Sequence, residues 1–206
     1  MNKIYILLLV SILTITPIFA TTDSNGTKTK FIENYVSFRN SPTLESKAFA
    51  DEPSINYHNE FDLIYSFFLP GKNYGFYMKD NFYLTNNLNI GSLDIGVSYK
   101  HKLSDNLNLF TTPYATFSLY DKGYDFYNYY LGVGGEIALR YKITNNLQIE
   151  TGAEAKALYL IDNYDTNVLD IDYRYSVNAF IGFTFYFELE YFGTKYPSNV
   201  VYVHLI

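Results

Sequence analysis

The sequence predicts an all-β protein: an up-and-down antiparallel β-barrel of eight strands that crosses a membrane. The clearest observation is the alternation of apolar and polar residues with period two in Asp170–Tyr191, as expected for a strand with two different faces. The second is that Ser/Thr–Asp/Asn–Asn turns recur at 104–106 and 144–146. The third is that no stretch after the N-terminal region has the length and apolarity of a spanning helix, so a membrane-embedded chain must close into a barrel.

Composition limits the classes of function. The 206 residues suit one domain, and a net charge of −6 argues against a nucleic-acid-binding surface of clustered Lys and Arg. The absence of Cys excludes disulfides, a Cys nucleophile and thiolate metal sites.

Residues 1–20 have the pattern of a secretory signal peptide. Lys3 precedes the apolar run Ile4–Ile15, and cleavage is expected after Ala20. A membrane anchor is the alternative, but the run is shorter than the roughly 20 residues that a spanning helix needs. We therefore predict export.

The remaining chain divides into three parts. Residues 21–58 are polar, and Phe31–Phe38 within them reads equally as a strand or as part of a linker. Residues 59–187 carry the barrel, and residues 188–206 form either a tail or one more strand. The count reaches eight strands, ending near Phe187, if both Phe31–Phe38 and Tyr74–Leu84 are strands. The count is six strands if residues 71–87 form a single loop.

The strands are predicted from their alternation and from the turns between them. The segments that alternate are Phe61–Leu69, Leu93–Leu103, Leu107–Leu119, Tyr129–Ile143, Leu147–Ile161 and Asp170–Tyr191. Tyr74–Leu84 is a weaker candidate, because Lys79, Asp80 and Asn81 lie in its middle. Turns two strands apart return to the same end of a barrel, so the short turns lie at one end. The longer connections 121–128 and 162–170 lie at the other, as in outer-membrane barrels.

The apolar face is predicted to point outwards. The opposite face combines small residues with charges of both signs, and Tyr clusters near the strand ends, where aromatic girdles meet the membrane surfaces. An exported soluble barrel that holds an apolar ligand inside is the alternative. With the apolar face outwards, the charged residues meet in the lumen as an ion-pair network that plugs it. This predicted network consists of Asp94, Lys100, Glu136, Arg140, Glu150, Glu154, Lys156, Asp172 and Arg174.

The stretch Tyr175–Phe187 resembles the terminal strand of bacterial outer-membrane proteins, which ends in alternating aromatics with an inward glycine. The residues that carry the resemblance are Gly182, Phe183, Phe185 and Phe187. Residues 61–187 as a whole resemble the small eight-stranded families, namely the OmpA transmembrane domain and OmpX-like proteins. The resemblance implies recognition by the barrel-assembly machinery. A departure is that the chain continues past Phe187.

No residue pattern indicates catalysis. The three His residues lie beside no recognised nucleophile motif, and the acidic residues of 162–172 match no calcium loop. We therefore expect no enzyme activity, cofactor or metal. The expected function is structural or adhesion-like, in a monomer of the outer membrane that contacts lipid, with loops 121–128 and 162–170 facing a host or surface ligand. A narrow channel or transporter for small solutes is the alternative.

Overall fold

The computed structural model describes residues 30–48, 54–84, 89–121, 127–163, 173–191 and 201–204. Nine strands follow one another in this part of the chain. They are β1 (Lys30–Ala48), β2 (Ser54–Phe68), β3 (Tyr74–Leu84), β4 (Asn89–Lys102), β5 (Leu107–Asp121), β6 (Tyr127–Lys142), β7 (Leu147–Asn163), β8 (Tyr173–Tyr191) and β9 (Val201–His204).

Strands β1 to β8 form a closed barrel. Each pairs antiparallel with the next, and β1 pairs with β8, from Lys30 opposite Tyr191 to Ala48 opposite Tyr173. Closure leaves none of these eight strands as a long free edge. The prediction of an eight-stranded up-and-down antiparallel barrel is confirmed.

The wall begins before the boundary at residue 59 that the sequence suggested. Phe31–Phe38 belongs to the 19-residue strand β1, and Tyr74–Leu84 is β3. Pro42 made this region read as a linker, but proline removes only one backbone donor. The ladder between β1 and β8 is interrupted at Ser41 and Pro42, whereas pairing with β2 continues through both. In β5, Pro113 interrupts the ladder with β4 in the same way.

The chain after Phe187 continues the wall before it turns back. β8 extends to Tyr191, and β9 pairs with Glu188–Tyr191 along the edge of β8 that β1 does not occupy. β9 is therefore a short strand attached to the end of β8 and is not part of the closed wall.

The two ends of the barrel differ. The turns 69–73, 103–106 and 143–146 lie at the end where β1 begins and β8 ends, which we call the turn end. The repeated turns are also alike in detail: Asn106 N donates to Ser104 Oγ and Asn146 N to Thr144 Oγ1, both at 3.3 Å. The opposite, loop end receives the connections 49–53, 85–88, 122–126 and 164–172, which lie outside the described residues.

Alternation places apolar side chains outside and polar ones inside. Val133, Ile137 and Ile181 point outwards and are 57–65% exposed, while the alternate positions on the same strands are buried and mostly polar. Asp80 is an acidic exception in the outer row, where it lies between Leu63 and Leu93. The described residues contain no helix with the length and apolarity to cross a membrane.

Candidate functional site: the interior of the barrel

The first group in the interior is an arginine cluster, formed by Arg39, Glu136, Arg140 and Glu150. Arg39 lies between the two carboxylates, with Nη1 2.6 Å from Glu136 Oε2 and Nε 2.5 Å from Glu150 Oε1. Arg140 Nε donates to Glu150 Oε2 at 2.7 Å. All four side chains are at most 1% exposed. Two cations and two anions make this cluster formally neutral.

Aromatic rings lie against the two guanidinium groups. The Arg39 guanidinium lies 4.0 Å from the centre of the Phe180 ring, and that of Arg140 lies 4.1 Å from the Phe110 ring, distances at which cation–π attraction operates. Phe110 and Phe180 pack with the rings of Tyr35 and Phe68 and with Ala138, and all five are buried. We call this group the aromatic layer. This layer occupies the interior on the turn-end side, and the arginines connect it to the ion pairs.

A second group, the lysine cluster, consists of Lys79, Asp94, Glu154 and Lys156. Lys79 Nζ is 2.9 Å from Asp94 Oδ2 and 2.7 Å from Glu154 Oε1, and Lys156 Nζ is 3.1 Å from each of the same two atoms. The Tyr114 hydroxyl also donates to Glu154. Buried charges need partners of this kind, since burial of an unpaired ion is strongly unfavourable.

An acid pair, Glu60 and Asp62, lies on the inner face of β2. The Asn81 amide donates to both carboxylates, and to Asp62 Oδ1 at 2.8 Å. Ser41 Oγ donates to the other oxygen of Asp62 at 2.8 Å, and His58 Nε2 is 2.8 Å from Glu60. The hydrogen-bond partners of Asp62 are therefore neutral groups.

Further ion pairs lie towards the two ends. Near the loop end, Arg174 Nη1 is 2.8 Å from Glu45 Oε1, and Arg174 Nε donates to Tyr130 Oη at 3.0 Å. Near the turn end, Lys100 pairs with Glu33. In the exposed turn itself, a hydrogen bond from Lys102 lowers the pKa of Asp105.

Glycines on the inner face make room for large side chains. A Cβ at Gly134 would lie 2.5 Å from the Tyr114 ring, and one at Gly152 would lie 2.5 Å from the Phe180 ring. These two positions must therefore lack a side chain for the rings to occupy their places beside the wall. Gly135, on the outer face beside Gly134, has nothing closer than 3.7 Å.

The structure brings together most of the lumen residues expected from the sequence. Asp94, Glu154 and Lys156 share the lysine cluster, and Glu136, Arg140 and Glu150 share the arginine cluster. Lys100 and Arg174 pair separately towards the ends, and Asp172 lies outside the described residues.

Sequence reasoning missed Arg39, Lys79, Glu60 and Asp62. Arg39 lies in the region that could be a linker because of Pro42, although Ser37, Arg39 and Ser41 are polar residues at alternate positions, as expected for the inner face of a strand. Lys79 lies on a strand whose outer row contains an acidic residue, so the two faces of that strand show poor contrast.

The residues expected to form the assembly signal lie in the middle and turn-end part of β8. Phe183 and Phe185 point outwards and are 54% and 49% exposed, and Phe187 is half-buried. Gly182 is buried on the inner face, where a Cβ would lie 2.9 Å from Arg39 Cγ. The described residues include no group of three or more His, Asp or Glu side chains placed to hold a metal ion.

Comparison with known proteins supports the fold. No protein-family model and no curated protein matches this sequence. Among solved structures, Neisserial surface protein A is similar with a TM-score of 0.55 at 11% identity, covering 72% of this chain and 95% of that one. The attachment invasion locus protein Ail of Yersinia pestis matches with a TM-score of 0.47 at 10% identity, covering 75% and 98%.

OprG of Pseudomonas aeruginosa, an outer-membrane protein, matches with a TM-score of 0.42 at 11% identity, covering 80% of this chain and 99% of that one. At such identities a likeness concerns the fold alone, and of these three proteins it is the Neisserial one, with a TM-score above 0.5, that supports the fold. The chain has the fold of the small eight-stranded outer-membrane β-barrel proteins.

Proposed function

We propose that this chain is exported to a bacterial outer membrane, where it acts as a monomeric barrel with a structural or surface-interaction role and a plugged lumen. The observation that carries the proposal is the combination of an exposed apolar outer wall with an interior of buried, paired charges. Such a wall is incompatible with water and suits lipid. The interior suits a barrel of eight strands, whose width side chains can fill.

The surface role draws on the comparison and on the loop end. The Neisserial relative in fold is named a surface protein. In this chain, connections 121–128 and 162–170 are rich in Asp, Asn and Tyr. They belong to the end opposite the short turns, which in outer-membrane barrels is the extracellular end. We expect these loops to contact a host or surface ligand.

Membrane fractionation with an unboiled and a boiled gel tests the location and fold together. The expected result is protein that resists carbonate extraction and migrates differently before and after boiling. Carbonate-soluble protein with one mobility would instead indicate the exported soluble barrel.

Planar-bilayer recording tests the plug. Purified protein should give no large, stable conductance steps, because the aromatic layer and both charged clusters occupy the interior. Large and stable steps would contradict the plugged lumen.

A narrow channel is the second candidate function. It is favoured by interior polar atoms that have no hydrogen-bond partner, such as Thr116 Oγ1 and Gln148 Oε1, because such atoms suit contact with water or a small solute. Small, ion-specific currents in the same recordings would support this candidate.

A further inference from the structure

Formal charge is not distributed evenly through the interior. The arginine cluster contains two cations and two anions and is neutral. Lys79 and Lys156 in the lysine cluster also face two anions, Asp94 and Glu154. The adjacent acid pair changes that balance.

Glu60 and Asp62 add two carboxylates without adding a lysine or arginine. The Asn81 amide, which donates to both, lies two residues after Lys79 on the inner face of β3, so the acid pair adjoins the lysine cluster. Four carboxylates against two ammonium groups give a formal charge of −2 for the combined group.

Unpaired acceptor atoms occur within the lysine cluster and beside it. Asp94 Oδ1 and Glu154 Oε2 are buried and have no hydrogen-bond partner. Asn178 is 7% exposed, its Oδ1 also lacks a partner, and it is the cross-strand neighbour of Glu154. Buried acceptors that remain unpaired are costly. Both the excess negative charge and the unpaired oxygens would be relieved by a cation.

We propose that the acid pair, together with Glu154 and Asn178, binds one primary ammonium group. A primary ammonium donates three hydrogen bonds, and the oxygens of carboxylates and amides accept them. The described residues contain no three-acid group placed to hold a metal ion, which favours an ammonium over an alkali ion, and the ammonium groups of Lys79 and Lys156 disfavour a ligand of higher charge.

Nuclear magnetic resonance of the folded full chain in detergent micelles tests the proposal at the site itself. The side-chain amide signal of Asn178 is followed while methylammonium chloride replaces tetramethylammonium chloride at constant ionic strength, and potassium chloride is titrated in the same way as a control. Methylammonium donates three hydrogen bonds, whereas potassium and tetramethylammonium donate none. We expect a saturable shift of the Asn178 signal with methylammonium and not with potassium, and an equal shift with both would overturn the proposal.

A variant without the negative charges of the acid pair tests whether those charges are needed for binding. Glu60→Gln with Asp62→Asn should weaken binding at least tenfold, while Asp105→Asn, which removes a carboxylate from an exposed turn, should leave it unchanged. Absence of a saturable shift in the unaltered chain would overturn the proposal. Equal binding by the double variant would also overturn it. If the double variant does not fold, the titration of the unaltered chain decides the proposal by itself.

Discussion

Replacement of Arg39 by Met is expected to destabilise the barrel more than any surface change. Arg39 is the group that joins Glu136 to Glu150, through ion pairs of 2.6 and 2.5 Å. Without it, Arg140 is the one remaining cation of the cluster beside two buried carboxylates, and the formal charge of the cluster changes from 0 to −1. Loss of one partner from a buried ion pair costs about 3–5 kcal/mol, and we expect the free energy of unfolding to fall by that amount.

Urea-dependent unfolding in lipid vesicles measures this change. The folded fraction is read from the mobility of unboiled samples, because the chain has no Trp for fluorescence. Lys102→Gln, in an exposed turn where the Lys102 side chain is 66% exposed, is the control and should show no measurable change.

A double-mutant cycle isolates the cause. Arg39→Met combined with Glu136→Gln restores a neutral cluster, so part of the loss should be recovered, with a coupling energy of about 1–3 kcal/mol. If Arg39→Met unfolds at the wild-type urea concentration, or if the two changes are simply additive, the ion pairs of Arg39 do not stabilise the barrel.

Glycine packing, the C-terminal strand and the aromatic layer can each be tested separately. Gly134→Ala should lower the free energy of unfolding by about 1–3 kcal/mol, because its Cβ would meet the Tyr114 ring, whereas Gly135→Ala on the outer face should not; equal effects in the urea titration would show that the ring contact is not the cause. A chain that ends at Tyr191 should still form a heat-modifiable barrel, since β9 lies outside the closed wall, and failure to fold would show that β9 is required. Replacement of Phe110 and Phe180 by Ala should raise conductance in planar bilayers by removing part of the aromatic layer; unchanged currents would place the barrier elsewhere.

Period-two alternation predicted most of the wall from sequence, because a barrel with an apolar outside imposes opposite requirements on successive residues. β1 was ambiguous, since Pro42 suggested a break although only the ladder with β8 is interrupted there. The prediction of β3 was weak, since Asp80 on the outer face and Lys79 on the inner face remove the usual contrast in polarity between the two faces. The sequence therefore predicts which side chains point outwards wherever the two faces of a strand differ in polarity.

The pairing of interior charges could not be read in the same way. Alternation places Glu136 and Glu150 inside, but which cation joins them depends on barrel closure. Arg39 and Glu150 are 111 residues apart in sequence and meet because β1 pairs with β8. The lateral order of the strands, and not any local pattern, decides such contacts.

The central claim is that the outer wall faces lipid, and a single tryptophan at position 137 tests it most directly. Ile137 points outwards and is 57% exposed, and the chain contains no other Trp. In lipid nanodiscs, Ile137→Trp fluorescence should be quenched by lipids brominated in their acyl chains and not by aqueous iodide. Ile143→Trp, in a short turn, should respond in the opposite way. Quenching of the position-137 tryptophan by iodide, with no effect of brominated lipid, would contradict a membrane-spanning wall.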